Sequence, residues 1–393
     1  MSVSILHVNF SRTGGAGSVA RTLWEEQLVQ GHTSRFHSTI ESDLRSHPFA
    51  SPLHTAAAAL DRYGVQAQGF HAPISLARDH LHDNTLPGLE DVDVLHLHGI
   101  NGVITVASLA QKHPSLRIVW TLHDMNPFTG ACHYSLGCQG FQTDCESCPA
   151  VRIPFRAAVS QNLARKRDAV SALTNLTVVT PSRWLADQAA ASSVFNGHDI
   201  VVQPNPISPH FGLMNASLEG RTEVQTFRAV VIAKNLDDPV KNVSAAVENF
   251  TAAFPKSGAA SLHLVGAGGV ALIGANVHRE GQLAQAEIAQ LLAQSDLLIV
   301  PSRAENSPLV IPEAASQGCA SLVADVGGMP ELIDTLGGGG VFSSPADLVA
   351  KLTAFAAQSL NHKKVLREKL VTSSQKVFSP RAVVAAYDKV YAR

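Results

Sequence analysis

Two carboxylates, Glu305 and Glu313, lie eight positions apart in "AENSPLVIPEAASQG". The apolar run "DLLIVPS" before them reads as a strand, and "RAENS" as a loop that carries the first. Pro308 and Pro312 suit the start of a helix, because proline lacks an N–H that the first turn does not use. "EAASQG" continues that helix and Gly318 ends it. Glu305 then precedes a helix N-terminus and Glu313 lies in the early turns, where helix polarity favours negative charge. A carboxylate only accepts hydrogen bonds, so the pair suits the hydroxyls of a sugar or ribose. The backbone N–H groups of Asn306, Ser307, Pro308's neighbours and Leu309 suit anionic oxygens. The plainer reading is two ordinary N-terminal helix acids.

Other residues invite similar chemistry. Lys234 ends the strand "RAVVIAK" and Lys241 precedes a helix, so together they could neutralise a pyrophosphate, or merely be solvated. Gly14, Gly15 and Gly17 follow a first strand and open a helix, a tight turn that a phosphate fits. Residues 15 to 20 also read G-x-G-x-x-A, with Glu41 further on, which is the dinucleotide pattern. In "DVDVLHLHGING", His96 and His98 share one strand face. His98 lies at the carboxyl end, where ligands bind, while His96 reads as a satisfied core histidine. Asp91 and Asp93 precede that strand and sit at the wrong end for a metal role. "HLVGAGG" is a second glycine-rich turn after a strand, and Glu280 lies just beyond it.

These residues need elements to position them. Strands are expected at "VSILHVNF", "DVLHLHG", "RIVWTLH" and "LTVVTPS", then at "RAVVIAK", "SLHLVGAG", "DLLIVPS" and "ASLVADV". Helices such as "SVARTLWEEQLVQGH" and "QAEIAQLLAQS" alternate with them. Nearly all-apolar strands in such alternation imply parallel sheets covered on both faces. The stretch "NPISPHFGLMNASLEGRTEVQTF" has no such pattern and reads as a linker. Two doubly wound domains follow, 1–208 and 209–377, with the cleft between them as the expected site.

Composition excludes several classes. The chain has 393 residues, is 45% apolar and 16% charged, and carries a net charge of −2, so nothing global points to nucleic acid. No apolar run approaches the roughly 20 residues of a membrane span. "MSVSILHVNF" lacks a basic region and a long apolar core, and reads as a strand and not a signal peptide. A cytoplasmic location is expected, and the sequons at Asn175, Asn215, Asn242 and Asn249 are then chance matches. Four of the five cysteines, Cys132, Cys138, Cys145 and Cys148, cluster in one segment, unlike a secreted disulfide scaffold. A C-x-x-C pair with two nearby thiols suits a structural zinc; disulfides and free thiols stay open. "VRIPFRAAVSQNLARKR" holds five basic residues and no acid. It is a solvated helix face or a peripheral contact with anionic lipid at the inner face of a membrane.

Taken in order, the Gly-Gly loop, "HLHG", "TLHD", "VTPSRW", "QPNPI", the lysine pair, "VGAGG", E-x7-E and "GGMPELI" resemble the retaining GT-B glycosyltransferases of family 4. The resemblance covers essentially the whole chain. It implies an α/β fold of GT-B type: two doubly wound, Rossmann-like parallel-sheet domains facing each other across a cleft. "FSPRAVVAAYDKVY" looks like the family's terminal helix, so residues of about 378–393 are expected to pack back on the first domain. The resemblance implies a donor, UDP- or GDP-sugar, on the C-terminal domain and a glycan or lipid-linked acceptor on the N-terminal one. Gly14, Gly15 and His98 would face the sugar-phosphate, and Lys234 and Lys241 the pyrophosphate. Glu305 would bind the transferred sugar, aided by Asn306 to Leu309. Glu313 would bind the ribose, and the stretch around Glu280 would frame the base. His123 and Asp124 would lie on the acceptor side. No cofactor is needed for the chemistry. The cysteine segment resembles a subset that makes surface polysaccharides. Ala233-Lys234, Asn242 and Asn205-Pro206 depart from the family's Gly-Arg, Gly and Asn-Gly. A catalytically silent binding or scaffold subunit is the rival expectation, and an NAD(P)-dependent oxidoreductase a more remote one that explains neither glutamate.

Overall fold

A computed structural model describes residues 3–40, 60–76, 86, 88–100, 104–113, 115–212, 226–256, 258, 260–269, 274 and 276–393. Glu41, the sequon at Asn215 and the linker beyond 212 fall outside them. The chain divides into two compact units: Met1–Asn205 with Val383–Arg393, and Pro206–Ala382.

The first unit is built on a six-stranded sheet of order β2-β1-β3-β4-β5-β6. Its strands are β1 (Ser4–Ser11), β2 (Thr33–Ile40), β3 (Val94–Leu97), β4 (Ile118–Thr121), β5 (Leu176–Thr180) and β6 (Ile200–Val202), and every pairing is parallel. Helices Gly14–Val29, Val106–Lys112, Arg156–Ser171 and Arg183–Ala190 connect them. β3 and β4 are buried along their whole length. With helices as crossovers, both faces of a parallel sheet leave water, so the strands must be apolar throughout.

The second unit repeats the plan. Its sheet runs β12-β11-β10-β7-β8-β9, again all parallel. The strands are β7 (Phe227–Asn235), β8 (Ala260–Ala267), β9 (Val277–Gly281), β10 (Leu297–Val300), β11 (Ala320–Ala324) and β12 (Gly340–Phe342). Six helices accompany them: Val243–Ala253, Gln285–Ala293, Val310–Ser316, Met329–Leu336, Pro345–Ala356 and Leu360–Phe378. Arg367, buried, ties three helix-end carbonyls together: Ala293 at 2.5 Å, Ser295 at 3.1 Å and Gln317 at 3.3 Å. A cation there complements the negative ends of two helices. One of them is Val310–Ser316, whose length and exit are fixed by Gly318 at φ +72°.

Both sheets reverse their strand order once. In the second unit the chain moves from β7 outward to β8 and β9, then returns to β10 on the other side. In the first it moves from β1 to β2 and returns to β3. At each reversal the two connections leave in opposite directions, which opens a crevice at the strands' carboxyl ends.

Candidate active site

At the second reversal, the exits of β7 and β10 bring Lys241 and Glu305 together. Lys241 Nζ lies 2.5 Å from Glu305 Oε1, and Ser302 Oγ donates to the same oxygen at 3.0 Å. Glu305 is buried, 5% exposed. The two loops are knit by backbone as well, Arg303 N donating to Val240 O at 2.8 Å. Asn242 Nδ2 donates to Pro301 O at 3.2 Å and its Oδ1 accepts from Arg303 at 3.3 Å. A third loop, after β11, closes over Glu305. At Gly327, φ +59°, a Cβ would come 1.7 Å from Glu305 O, so glycine alone permits this approach.

Asn242 adopts φ +52°. Family resemblance puts glycine here, and asparagine is the residue next best able to take that left-handed conformation. The departure therefore keeps the backbone and adds two hydrogen bonds. Lys234 stands exposed near the end of β7. Asn306 is buried, while Ser307, Pro308 and Leu309 are half-buried on the way into the helix. Glu313 is the fourth residue of that helix. Burial pushes its pKa up to about 7. No donor among the described residues reaches its carboxyl, so it is a half-buried acceptor with capacity to spare. Glu280 is not drawn into this group. It lies on edge strand β9 and bonds His263 Nδ1 at 2.7 Å. Two strand spacings, roughly 10 Å, separate β9 from β7.

At the first reversal the exits of β1 and β3 are locked together. Asn9 Oδ1 accepts from Gly99 N at 2.7 Å and Phe10 N donates to Gly99 O at 2.7 Å. Gly14 opens the helix at φ +79° with open space where a Cβ would stand, as at Gly15. Gly17 differs: a Cβ there would meet Ser11 O at 2.3 Å, so it lets the helix sit against its own loop.

His98 is fully enclosed, 2% exposed, with both ring nitrogens engaged. Its Nε2 lies 3.1 Å from His7 Nδ1 and its Nδ1 3.0 Å from His123 Nε2. A ligand at this end meets the ring only by way of His123 or by opening that bond. His7 and His96 are register partners on β1 and β3, and all three rings stack on one sheet face. Gln27 orders their protons. Its Oε1 accepts from Ser34 Oγ and from His7 Nε2, both at 2.8 Å, while its Nε2 donates to Tyr391 OH at 3.0 Å. With His7 protonated on Nε2, its Nδ1 accepts from His98 Nε2–H, and His98 Nδ1 accepts from His123 Nε2–H. Tyr391 OH in turn meets His96 Nδ1 at 2.8 Å, whose Nε2 reaches Thr121 Oγ1 at 2.8 Å, which meets Tyr387 OH at 2.9 Å.

Burial holds these imidazoles neutral. His7 and His123 are lowered to about 4, against the opposing pull of Gln27 and Asp124 respectively. His96 and His98 lie well below the usual value, first through burial and then through neighbouring histidines. His7, His96 and His98 have ring nitrogens within 4.8 Å of one another, a grouping that could hold a metal. Each of the six nitrogens already has a partner, so the group is a closed hydrogen-bond relay; a dication would have to break it and stay buried among neutral groups.

The loop after β4 continues from His123. Asp124 Oδ2 pairs with His133 Nδ1 at 2.7 Å, and its Oδ1 accepts from Asn126 N at 2.8 Å. Burial alone would raise the Asp124 pKa, but His133, the Asn126 amide and His123 together hold it below its ordinary value. Helix Arg156–Ser171 clamps this loop. Asn162 Nδ2 donates to Gly130 O at 2.6 Å, and Lys166 Nζ to Asn126 O at 2.6 Å and Thr129 O at 3.0 Å. Of the basic run, Lys166 thus points inward, and Arg165 and Arg167 remain exposed. Asp91 and Asp93 sit at the opposite, amino end of the sheet, where Asp93 accepts from Ser4 N at 2.8 Å.

Comparison with known proteins relates part of the second unit to a family. Residues 228–361, about a third of the chain, match the family model for glycosyl transferases group 1. Around it, the whole chain shares the GT-B fold of solved glycosyltransferases. One is WaaG, a glycosyltransferase involved in lipopolysaccharide biosynthesis, at 16% identity and a TM-score of 0.62 over 98% of this chain and 99% of that one. Another is the catalytic domain of starch synthase IV from Arabidopsis thaliana bound to ADP and acarbose, at 14% identity and 0.62 over 100% and 99%. In sequence, the chain is 25% identical over 343 residues to an Escherichia coli (strain K12) protein provisionally assigned as the colanic acid biosynthesis glycosyl transferase WcaC, covering 83% of this chain and 84% of that one. Lys241, Glu305 and Glu313 all lie within the residues that match the group 1 model. Among the described residues no helix is long and apolar enough to cross a membrane.

Sequence reasoning missed His7, Gln27 and His133, gave Lys166 to a basic surface, and placed Tyr387 and Tyr391 on the terminal helix without a role.

Proposed function

We propose that this chain is a retaining hexosyltransferase that moves a sugar from a nucleotide-sugar donor, UDP- or GDP-linked, to a glycan or lipid-linked acceptor in surface-polysaccharide synthesis. One observation carries the reading: Lys241 and Glu305 meet at the strand-order reversal within the residues that match the group 1 model, Glu305 standing on the loop that leads into the helix carrying Glu313. A donor would exchange their mutual pairing for its own groups. Its diphosphate would take Lys241, with exposed Lys234 alongside, and hydroxyls of the transferred sugar would take Glu305. The ribose hydroxyls would donate to Glu313.

In the transition state, positive charge grows on the sugar ring and negative charge on the leaving diphosphate. Glu305 and the lysines answer these two charges from fixed positions, the kind of preorganised electrostatics that lowers barriers most. By resemblance to the family, the acceptor attacks from the leaving group's side and the leaving phosphate takes its proton. His123 and Asp124 serve the acceptor. His98 acts behind them, orienting His123. The relative assigned to colanic acid biosynthesis supports a polysaccharide product, and the ADP-bound starch synthase of the same fold supports a nucleotide donor. A cytoplasmic enzyme touching the inner membrane face through Arg165 and Arg167 fits a lipid-linked acceptor.

A thermal-shift screen of UDP-, GDP- and ADP-sugars tests the donor. A ligand at 100 times its dissociation constant adds about 2.7 kcal/mol. Stabilisation by one nucleotide-sugar class, roughly halved in Glu313→Gln, is expected. No response to any of them discards the reading. Stabilisation without hydrolysis or transfer leaves a binding subunit instead.

A further inference from the structure

The segment from Met125 to Phe155 is unlike the rest of the first unit. Its only helical elements are short 3-10 turns at Asn126–Phe128, Gly140–Gln142 and Ile153–Phe155. No strand of the sheet passes through it. Met125, Phe128 and Phe141 anchor it in the first unit's core, but it has no α-helix or sheet strand of its own, and irregular segments of this kind are often stapled. All four of its cysteines are free thiols; Cys132, Cys145 and Cys148 are buried and Cys138 partly so.

The four thiols lie in this one segment, three of them buried, and N–H groups meet them. Cys132 and Cys148 are neighbours. Gly140 N donates to Cys138 Sγ at 3.4 Å, two residues on. The amides of Ala150 and Val151 serve Cys148 two and three residues on, and a Gly130 amide serves Cys145. N–H donors at those offsets are what a thiolate at a metal needs, because they spread its negative charge. Cys145 takes the left-handed φ of +59°, which turns the chain back so that Cys145 and Cys148 return to the same side. A Cβ at Gly140 would lie 3.4 Å from Cys145 Cα and 3.6 Å from Cys138 Sγ, so the two halves are pressed together there. Two cations stand near: Arg156 beside Cys148, and Lys166 beside Cys132 and Cys145. They offset the two negative charges that a divalent ion with four thiolates would leave.

We propose that Cys132, Cys138, Cys145 and Cys148 bind one zinc ion as a four-thiolate structural site that braces the loop carrying His123, Asp124 and His133. Binding releases the thiol protons to solvent and forms four zinc–sulfur bonds, with no oxidant or reductant involved. The four sulfurs spread wider than the nitrogens of the histidine group, which all lie within 4.8 Å of one another. A tetrahedron of thiolates at about 2.3 Å from zinc requires the sulfurs to close to about 3.8 Å. Short turns between the ligands allow that adjustment; a helix or strand would resist it. The metal stands independently of the proposed activity. Only its service to the acceptor loop rests on that reading.

The test uses the full chain, made without a metal-affinity tag and purified under reducing conditions without chelator. Elemental analysis should find roughly one zinc per chain. Cys138→Ser and Cys148→Ser should each lose it, whereas His96→Asn should retain it. If these cysteine variants misfold, cobalt substituted into the wild type should show intense thiolate-to-metal charge transfer. Stripping the zinc should speed amide exchange in residues 125–155 and leave 228–361 unchanged. Zinc below about a tenth of an equivalent with no uptake of added zinc overturns the site. So do a Cys132–Cys148 disulfide in the purified protein, a cobalt form without thiolate charge transfer, and zinc lost on changing His96 but kept without the cysteines. Unchanged exchange at 125–155 overturns the bracing role.

Discussion

The two sheets put polar residues at equivalent places and treat them in opposite ways. At the β1/β3 reversal, every ring nitrogen of His7, His96 and His98 has a partner, and burial holds the rings neutral. At the β7/β10 reversal, Lys241 and Glu305 form an ion pair, and among the described residues no donor reaches the Glu313 carboxyl. The first arrangement holds geometry without a ligand, and offers a substrate only what His123 and Asp124 present beside it. The second is unfinished, and a ligand that completes it gains binding energy. The same topology therefore carries a closed hydrogen-bond relay in one unit and, on the proposed reading, a receptive site in the other.

Charge removal should separate them most sharply. Glu305→Gln keeps the shape and an acceptor oxygen, so any loss reports the charge. Steady-state kinetics should show kcat falling about 10²-fold or more, the scale for removing one charge-stabilising group. Near wild-type kcat would demote Glu305 to a loop anchor. Gln27→Leu should hurt through stability instead. It removes a partner from His7 Nε2 and Ser34 Oγ, while Tyr391 keeps His96, and one buried unsatisfied group costs about 1–3 kcal/mol. Urea unfolding followed by probes in the first unit should register a loss of about 2 kcal/mol while the second unit unfolds as before. No loss would mean that the relay is not a structural wall.

pH should tilt the two sites in opposite directions. Burial pushes Glu313 from 4.5 to about 7. The folded unit favours its protonated form, so that contribution is whole below pH 4.5 and is lost as pH rises through about 7. The histidines behave inversely. Lowered from 6.5 to about 4, His7 and His123 contribute stability above pH 6.5 that is lost as pH falls through 4. Glu313→Gln should gain stability on the wild type as pH rises from 4.5 to about 7, and should raise the donor KM about tenfold with kcat nearly kept. A melting-temperature difference flat in pH would show that Glu313 is already solvated. The smallest effect belongs to Asn242→Gly. Glycine takes the same φ, so only the links to Pro301 and Arg303 go, and the change should stay within about 1 kcal/mol. Asn242→Val, forced into a conformation that β-branched residues avoid, should cost more than that.

How much of this was legible in the sequence follows from burial. The eight expected strands are the eight central ones, β1, β3, β4, β5, β7, β8, β10 and β11. The four that went unread, β2, β6, β9 and β12, are the four sheet edges. A central strand is covered on both faces and reads as an apolar run. An edge strand such as β9, "VHREG", has three exposed residues and no such run. The second site was legible because its chemistry is written in short spacings: a lysine at a strand end, glutamates around a helix start. The relay was not, because its partners are distant. Gln27 and Tyr391 are separated by 364 residues, and no local pattern announces that contact. Lys166 was read as part of a basic surface because sequence gives its charge but not the side of the helix on which the loop carbonyls wait.

The first unit is closed by the far end of its own chain. A ribosome releases Gln27 and His96 long before it releases Tyr387 and Tyr391, the residues that satisfy the relay. During synthesis those buried groups must be served by water, and the sheet around them stays incomplete. Pro206–Ala382 is continuous in sequence and needs nothing that is made later. The unit made second should therefore mature first. In pulse-labelled exchange during refolding, amides of β7 and β10 should gain protection before those of β1 and β3, and simultaneous protection would show that the C-terminal tyrosines fasten a wall that was already built.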